Sequence, residues 1–198
     1  MMSRSGQIIG LTGSIAAGKS TAAHICRQMG LPVHDSDKVV HKLLGPNGVA
    51  VPVILQKFGP VGDSDAGIDR QALGQIIFGD PVAKNWLENL LHPLVEQDRT
   101  RFIRQYKVWG YKKIILDVPL LFEVGADRIC DSVITVWAPA FLRQQRALMR
   151  PGMTEEKYQQ IIASQLPQTE KIRLSDLSLP SGLGYAETRR RLKRFLAK

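Results

Sequence analysis

Eight consecutive residues, Gly13-Ser14-Ile15-Ala16-Ala17-Gly18-Lys19-Ser20, combine two glycines, a lysine and a hydroxyl at a spacing suited to holding a polyphosphate. A triphosphate needs many donors at short range with no side chains in the way. Glycine at 13 and 18 lets the backbone fold around the phosphates and turn its N–H groups inward. A helix starting near Ser20 adds the positive end of its dipole. In that arrangement Lys19 reaches the β- and γ-phosphates, and the Ser20 hydroxyl is a ligand for magnesium. The expected ATP contacts are therefore Gly13, Ser14, Ile15, Ala16, Ala17, Gly18, Lys19 and Ser20, with Thr21 beside them, and Lys19 is also a catalytic candidate. An ordinary glycine-rich turn is the competing reading, and placement between a strand pattern and a helix pattern counts against it.

Asp35 and Asp37 follow Leu31-Pro32-Val33-His34, which reads as a short strand. Ligands of parallel sheets collect at the carboxyl ends of strands. A carboxylate there can accept the proton of an attacking hydroxyl or hold the magnesium shell, or it can simply cap the next helix. Asp117 closes Ile114-Ile115-Leu116 in the same way, with capping of the following turn again the alternative. Arg143, Arg146 and Arg150 are three and four apart and share a helix face. Beside the break at Pro151-Gly152 they read as a mobile lid whose planar forks clamp phosphate, the alternative being a solvated basic stripe.

The elements that must position these groups alternate. A strand is expected over 7–12, a helix over 20–29 ended by Gly30, a strand over 31–34, and a helix through Val39 to Leu44. From about Val49 to Gly110 there are helix signals and no convincing strand. Asp69 is placed to cap a helix through Leu73 and Phe78, Asp80-Pro81 starts another, and a further pattern resumes near Pro93. Strands return over 113–117 and 132–137, then helices over 139–149, 155–165 and 186–196. This is the pattern of a three-layer parallel α/β fold, with the long helical insertion as a lobe over the nucleotide site.

With 198 residues, the chain can bury one sizeable core plus a small subdomain. Its apolar runs are too short to span a bilayer, and its first residues lack the apolar core of a signal peptide, so a cytoplasmic setting is expected. Cys26 and Cys130 form no CxxC pair and read as buried small hydrophobes. A net charge of +9 favours an anionic partner without saying which. The run Arg189 to Arg194 has no aromatic interleaving and is expected to face solvent rather than nucleic acid.

Taken with Gly10-Leu11-Thr12-Gly13, Asp35-Ser36-Asp37 and His41, Ile68-Asp69-Arg70, His92-Pro93-Leu94, Asp117-Val118-Pro119-Leu120-Leu121-Phe122-Glu123, Arg146, Arg150, and Ile162 to Pro167 with Lys171, the chain resembles bacterial dephospho-CoA kinases over nearly its whole length. The resemblance implies an α/β P-loop NTPase fold like that of nucleoside monophosphate kinases: a five-stranded parallel sheet, a helical CoA domain and a helical lid. It implies a single domain over 1–198, with the core at about 5–45, 111–139 and 166–198, the CoA subdomain at about 46–110 and the lid at about 140–165. The implied reaction moves the γ-phosphoryl of ATP, with magnesium, to the ribose 3′-hydroxyl of dephospho-CoA, the last step of coenzyme A synthesis. Asp37 matches the family's general base, and Arg146 falls in its lid and, with Arg150, on ATP. Asp35, Asp37, Arg70, His92 and Asp117 are the implied substrate contacts. ATP and dephospho-CoA are the implied partners, with no nucleic acid, membrane or obligate protein partner. Two departures stand out. Arg150-Pro151 replaces an Arg-Asp pair, and 176–182 lacks an asparagine that many relatives carry beside adenine, which predicts weak discrimination against GTP. Another small acceptor, such as a nucleoside monophosphate, is the nearest rival reading, and a nucleotide-hydrolysing switch is a more distant one.

Overall fold

The computed structural model describes residues 6–197; residues 1–5, read above for a leader and as the start of the core, and Lys198 lie outside them. In chain order come β1 (Gln7–Gly13), α1 (Lys19–Gln28), β2 (Val33–Asp35), α2 (Ser36–Leu44), α3 (Val51–Phe58), β3 (Gly62–Asp63), β4 (Gly67–Ile68), α4 (Arg70–Ile77) and α5 (Pro81–Val108). Then follow β5 (Lys113–Asp117), a 3₁₀ turn at Ala126–Ile129, β6 (Ser132–Trp137), α6 (Ala140–Leu148), α7 (Glu155–Ala163), α8 (Gln168–Arg173), β7 (Leu177–Pro180) and α9 (Tyr185–Leu196). Two compact units emerge: one joins the stretch up to His34 with that from Gln105 onward, and the other is Asp35–Arg104.

The first unit is built on a five-stranded sheet in the order β2-β5-β1-β6-β7. β1 lies between β5 and β6, parallel to both, with Ile9 opposite Ile115 on one side and Ser132 on the other. Both faces of these strands are covered, which is why they read as nearly unbroken apolar runs. Ile9, Leu11, Ile115, Ile134, Val136 and Leu179 pack against Ala22, Ala23, Ile25 and Cys26 of α1 and Leu192 of α9. Small residues on the buried side of α1 let that helix sit close to the sheet, and so hold its amino-terminal end at the carboxyl end of β1.

The second unit has its own core of Ala50, Val51, Ile54, Val61, Ile68, Leu73, Leu87 and Leu91. Asp69 caps α4 by accepting from the amides of Gln71 (2.8 Å) and Ala72 (3.2 Å), and Asp80 caps α5 through Val82 (2.9 Å) and Ala83 (3.0 Å), as the sequence predicts. Two expectations need correction. β3 and β4 form a short antiparallel pair where no strand was expected, its turn held by the Asp63 carboxylate on the amides of Asp65 and Ala66. Strands of two residues are too short to leave an alternation in the sequence. And α5 runs unbroken through Pro93. Pro93 stands exposed while Leu87 and Leu91 are buried, so water can serve the carbonyl that the missing N–H leaves unpaired.

Candidate active site

β1 ends at Gly13 with a close approach to its neighbour: a Cβ there would lie 2.5 Å from the Val136 carbonyl oxygen, so only glycine fits. The loop then turns, with the Ala17 amide donating to Ser14 at 3.0 Å. Gly18 takes a left-handed φ of 96° and starts α1. No side chain caps α1 and no acidic residue occupies its first turn. Its first N–H groups and the positive end of its dipole therefore have no side-chain cap of their own and suit an anion. Ser20 and Thr21 are exposed on this first turn.

Lys19, the first residue of α1, meets Asp117, the last residue of β5. Nζ lies 2.6 Å from Oδ1, with the side chains only 14% and 4% exposed. Asp117 thus faces the phosphate loop rather than merely capping the next turn. Its charge, together with burial as the larger cause, pushes the Cys26 thiol up to about 12. That thiol stays protonated and behaves as the small apolar group the sequence predicts.

The lid arginines do not form one stripe. Arg143 is buried and its Nε donates to the Ala138 carbonyl at 3.2 Å, bracing the start of α6. Arg146 instead reaches the phosphate loop: Nη1 donates to Ser181 Oγ at 3.1 Å, and that hydroxyl donates to the Ala17 carbonyl at 2.6 Å. Arg150 is exposed at the turn that links α6 to α7, where its carbonyl accepts the Met153 amide at 3.2 Å. Ala147 of α6 and Tyr158 of α7 pack on Ala16 and Ile15 of the loop, so the two helices rest directly on it.

In the second unit, Asp35 caps α2 by accepting from the Lys38 amide at 3.2 Å, which is the capping role weighed for one of the pair. Asp37 is exposed in the first turn of α2. Arg70 Nη1 lies 2.7 Å from His41 Nε2. Because a guanidinium only donates, Nε2 is the acceptor and the ring proton sits on Nδ1. His92 is exposed on α5, outside this contact.

The sequence profile of dephospho-CoA kinases matches residues 7–183. The chain belongs to the dephospho-CoA kinase family. A dephospho-CoA kinase of Rhodospirillum rubrum is 48% identical over 186 residues, covering 94% of this chain and 88% of its own length. One from Mesorhizobium japonicum is 44% identical over 182 residues, covering 92% and 91%. The crystal structure of a Thermus thermophilus protein superposes with a TM-score of 0.82 at 30% identity over 97% of each chain. The P-loop kinase class and the five-stranded α/β sheet expected from the sequence are thereby established. Among the described residues, no helix is long and apolar enough to cross a membrane.

Within this dephospho-CoA kinase framework, two contacts on the loop were not legible beforehand. Ser181 carries Arg146, and Gln165 Oε1 accepts the Ile15 amide at 3.0 Å. Gln165 appeared in the sequence only inside a motif, and Ser181 only as a place where an amide is missing.

Proposed function

We propose that this chain phosphorylates the ribose 3′-hydroxyl of dephospho-CoA with ATP, giving coenzyme A and ADP. The phosphate loop carries the reading: an uncapped helix start, a lysine beside it and an arginine held over Gly18 together match the charge of a triphosphate. Lys19 and the loop amides hold the β- and γ-phosphates, and Arg146 follows the charge that develops on the transferred group. Arg150, at the exposed lid turn, joins it when ATP binds. Asp37 takes the proton as the acceptor oxygen bonds to phosphorus, and the bond from the γ-phosphorus to its bridging oxygen breaks, releasing ADP.

Magnesium fits the chemistry of the donor set, since it needs few protein oxygens beyond phosphates and water. The exposed Ser20 hydroxyl would hold it directly, and Asp117 lies beside the loop to order its water shell. The ion would neutralise charge between the β- and γ-phosphates. Asp35, Arg70 with its partner His41, and His92 are assigned to the acceptor, Arg70 as a ligand for its phosphates. A cytoplasmic setting accords with ATP as co-substrate.

The test is ADP release with dephospho-CoA, measured beside nucleoside monophosphates, with the product's phosphate located by mass spectrometry. Lys19→Ala should fold and lose at least about a hundredfold in turnover. Turnover with a nucleoside monophosphate in preference to dephospho-CoA would move the protein to the rival acceptor.

A further inference from the structure

Lys171 takes no part in the chemistry above, yet it is fully buried, which is rare for a lysine. Its ammonium lies 2.7 Å from Glu123 Oε1 and donates to the Pro119 carbonyl at 3.2 Å. The same carbonyl accepts the Thr12 hydroxyl at 2.9 Å, one residue before Gly13. Glu123 Oε1 also accepts the Leu166 amide at 2.8 Å. Leu166 adjoins Gln165, whose side chain holds the Ile15 amide of the phosphate loop at 3.0 Å. The Lys171 backbone is itself fixed, its carbonyl accepting Thr135 Oγ1 at 3.1 Å and the Ser175 hydroxyl. One buried cation thus ties together the end of β1, the segment after β5 and the chain leaving the lid helices.

Lys171 loses its water entirely while the Glu123 side chain stays 19% exposed, and such a pair adds little net stability compared with apolar side chains of the same volume. What this pair supplies is position. We propose that Lys171 and Glu123 are positioning residues that shape the phosphate loop through Gln165, so that ATP binding depends on a pair touching neither nucleotide nor acceptor. The lid's exit and the loop then move together, since Leu166 and Gln165 are anchored to opposite ends of one network. The inference rests on the loop being the ATP site.

The test compares wild type, Lys171→Met, Glu123→Leu, the double variant and Gln165→Leu. The readouts are Tm, ATP binding by calorimetry, and separate KM values for ATP and dephospho-CoA. Glu123→Leu leaves the buried Lys171 ammonium without its counter-charge and lowers Tm, and Lys171→Met, which leaves the partly exposed Glu123 carboxylate, lowers it less. The double variant should regain much of that Tm, while its ATP Kd stays raised at least about tenfold and its KM for dephospho-CoA is unchanged. Gln165→Leu, at a half-buried surface position, should reproduce the ATP effect with a smaller loss of Tm. A folded double variant with wild-type ATP affinity overturns the inference and leaves the pair a purely structural feature. If that variant does not fold, wild-type ATP affinity in Gln165→Leu overturns it equally. Failure of wild type to bind ATP would instead remove the assignment of the loop.

Discussion

Replacing Asp117 by asparagine tests whether the Lys19 ammonium is shared between that carboxylate and a bound phosphate. The Asp117 carboxylate is a counter-charge of Lys19, 2.6 Å away, and both side chains are nearly out of contact with water. Removing one partner of so buried a pair costs about 3–5 kcal/mol. Asparagine keeps an acceptor oxygen and recovers part of that, leaving a loss of about 2–3 kcal/mol. In a chain of this size each kcal/mol moves Tm by about 2–4 °C, so ligand-free Asp117→Asn should melt about 4–12 °C below wild type. Bound ATP replaces the lost negative charge with its phosphates. The rise in Tm on adding saturating ATP and magnesium should therefore be larger in the variant than in wild type, even though turnover falls. Differential scanning fluorimetry with and without nucleotide measures both quantities. Lys19→Met combined with Asp117→Asn is the control: with neither charge of this pair left, it should melt nearer to wild type and respond little to ATP. A deficit that saturating ATP leaves unchanged would refute the idea that phosphate and carboxylate share one ammonium.

Asp37→Asn should lower kcat by about 10²–10⁴ with stability unchanged. Asp35→Ala should instead lower stability by about 0.5–2 kcal/mol in urea unfolding, because it removes the cap of α2; the reverse pattern would exchange the two roles. Arg146→Lys keeps the charge but loses the fork that bonds Ser181, so kcat should drop while KM for dephospho-CoA hardly moves; Ser181→Ala should show part of the same loss. Cys26, its thiol pushed up to about 12, should resist iodoacetamide at neutral pH until the protein unfolds, and labelling of the native chain at a free-thiol rate would contradict the burial. GTP should support turnover within about a hundredfold of ATP in kcat/KM, since residues 176–182 carry no asparagine; side-by-side titrations against saturating dephospho-CoA decide it.

The elements visible in the sequence are those whose signals are contiguous. The phosphate loop, the caps at Asp69 and Asp80 and the strands at 113–117 and 132–137 each lie within a few residues. β7 escaped notice because Leu177-Ser178-Leu179-Pro180 is short and ends in a residue that cannot donate. It persists as the last strand of the sheet, where one side of the ladder has no neighbour to supply and proline is tolerated. α8 has six residues, fewer than two turns, and so shows no apolar period. In both cases pairing and packing from elsewhere in the chain stabilise what local propensity does not.

The site divides along the same line. Spacing along α6 places Arg143 and Arg146 on one broad face, but an advance of three residues still leaves them about 60° apart on the helix. Long side chains turn that angle into different partners, Ala138 for one and Ser181 for the other. Which arginine serves the phosphates therefore depends on where Ser181 lies, and Ser181 is placed by β7, through the bond from its own amide to Trp137. The contacts that shape the loop are similarly remote: Lys19 with Asp117 across 98 residues, Ile15 with Gln165 across 150 and Ala17 with Ser181 across 164. A motif gives the groups that touch phosphate because backbone geometry alone sets them there. The groups that hold the motif in shape come from strands and helices threaded later in the chain, and only the sheet order brings them to it.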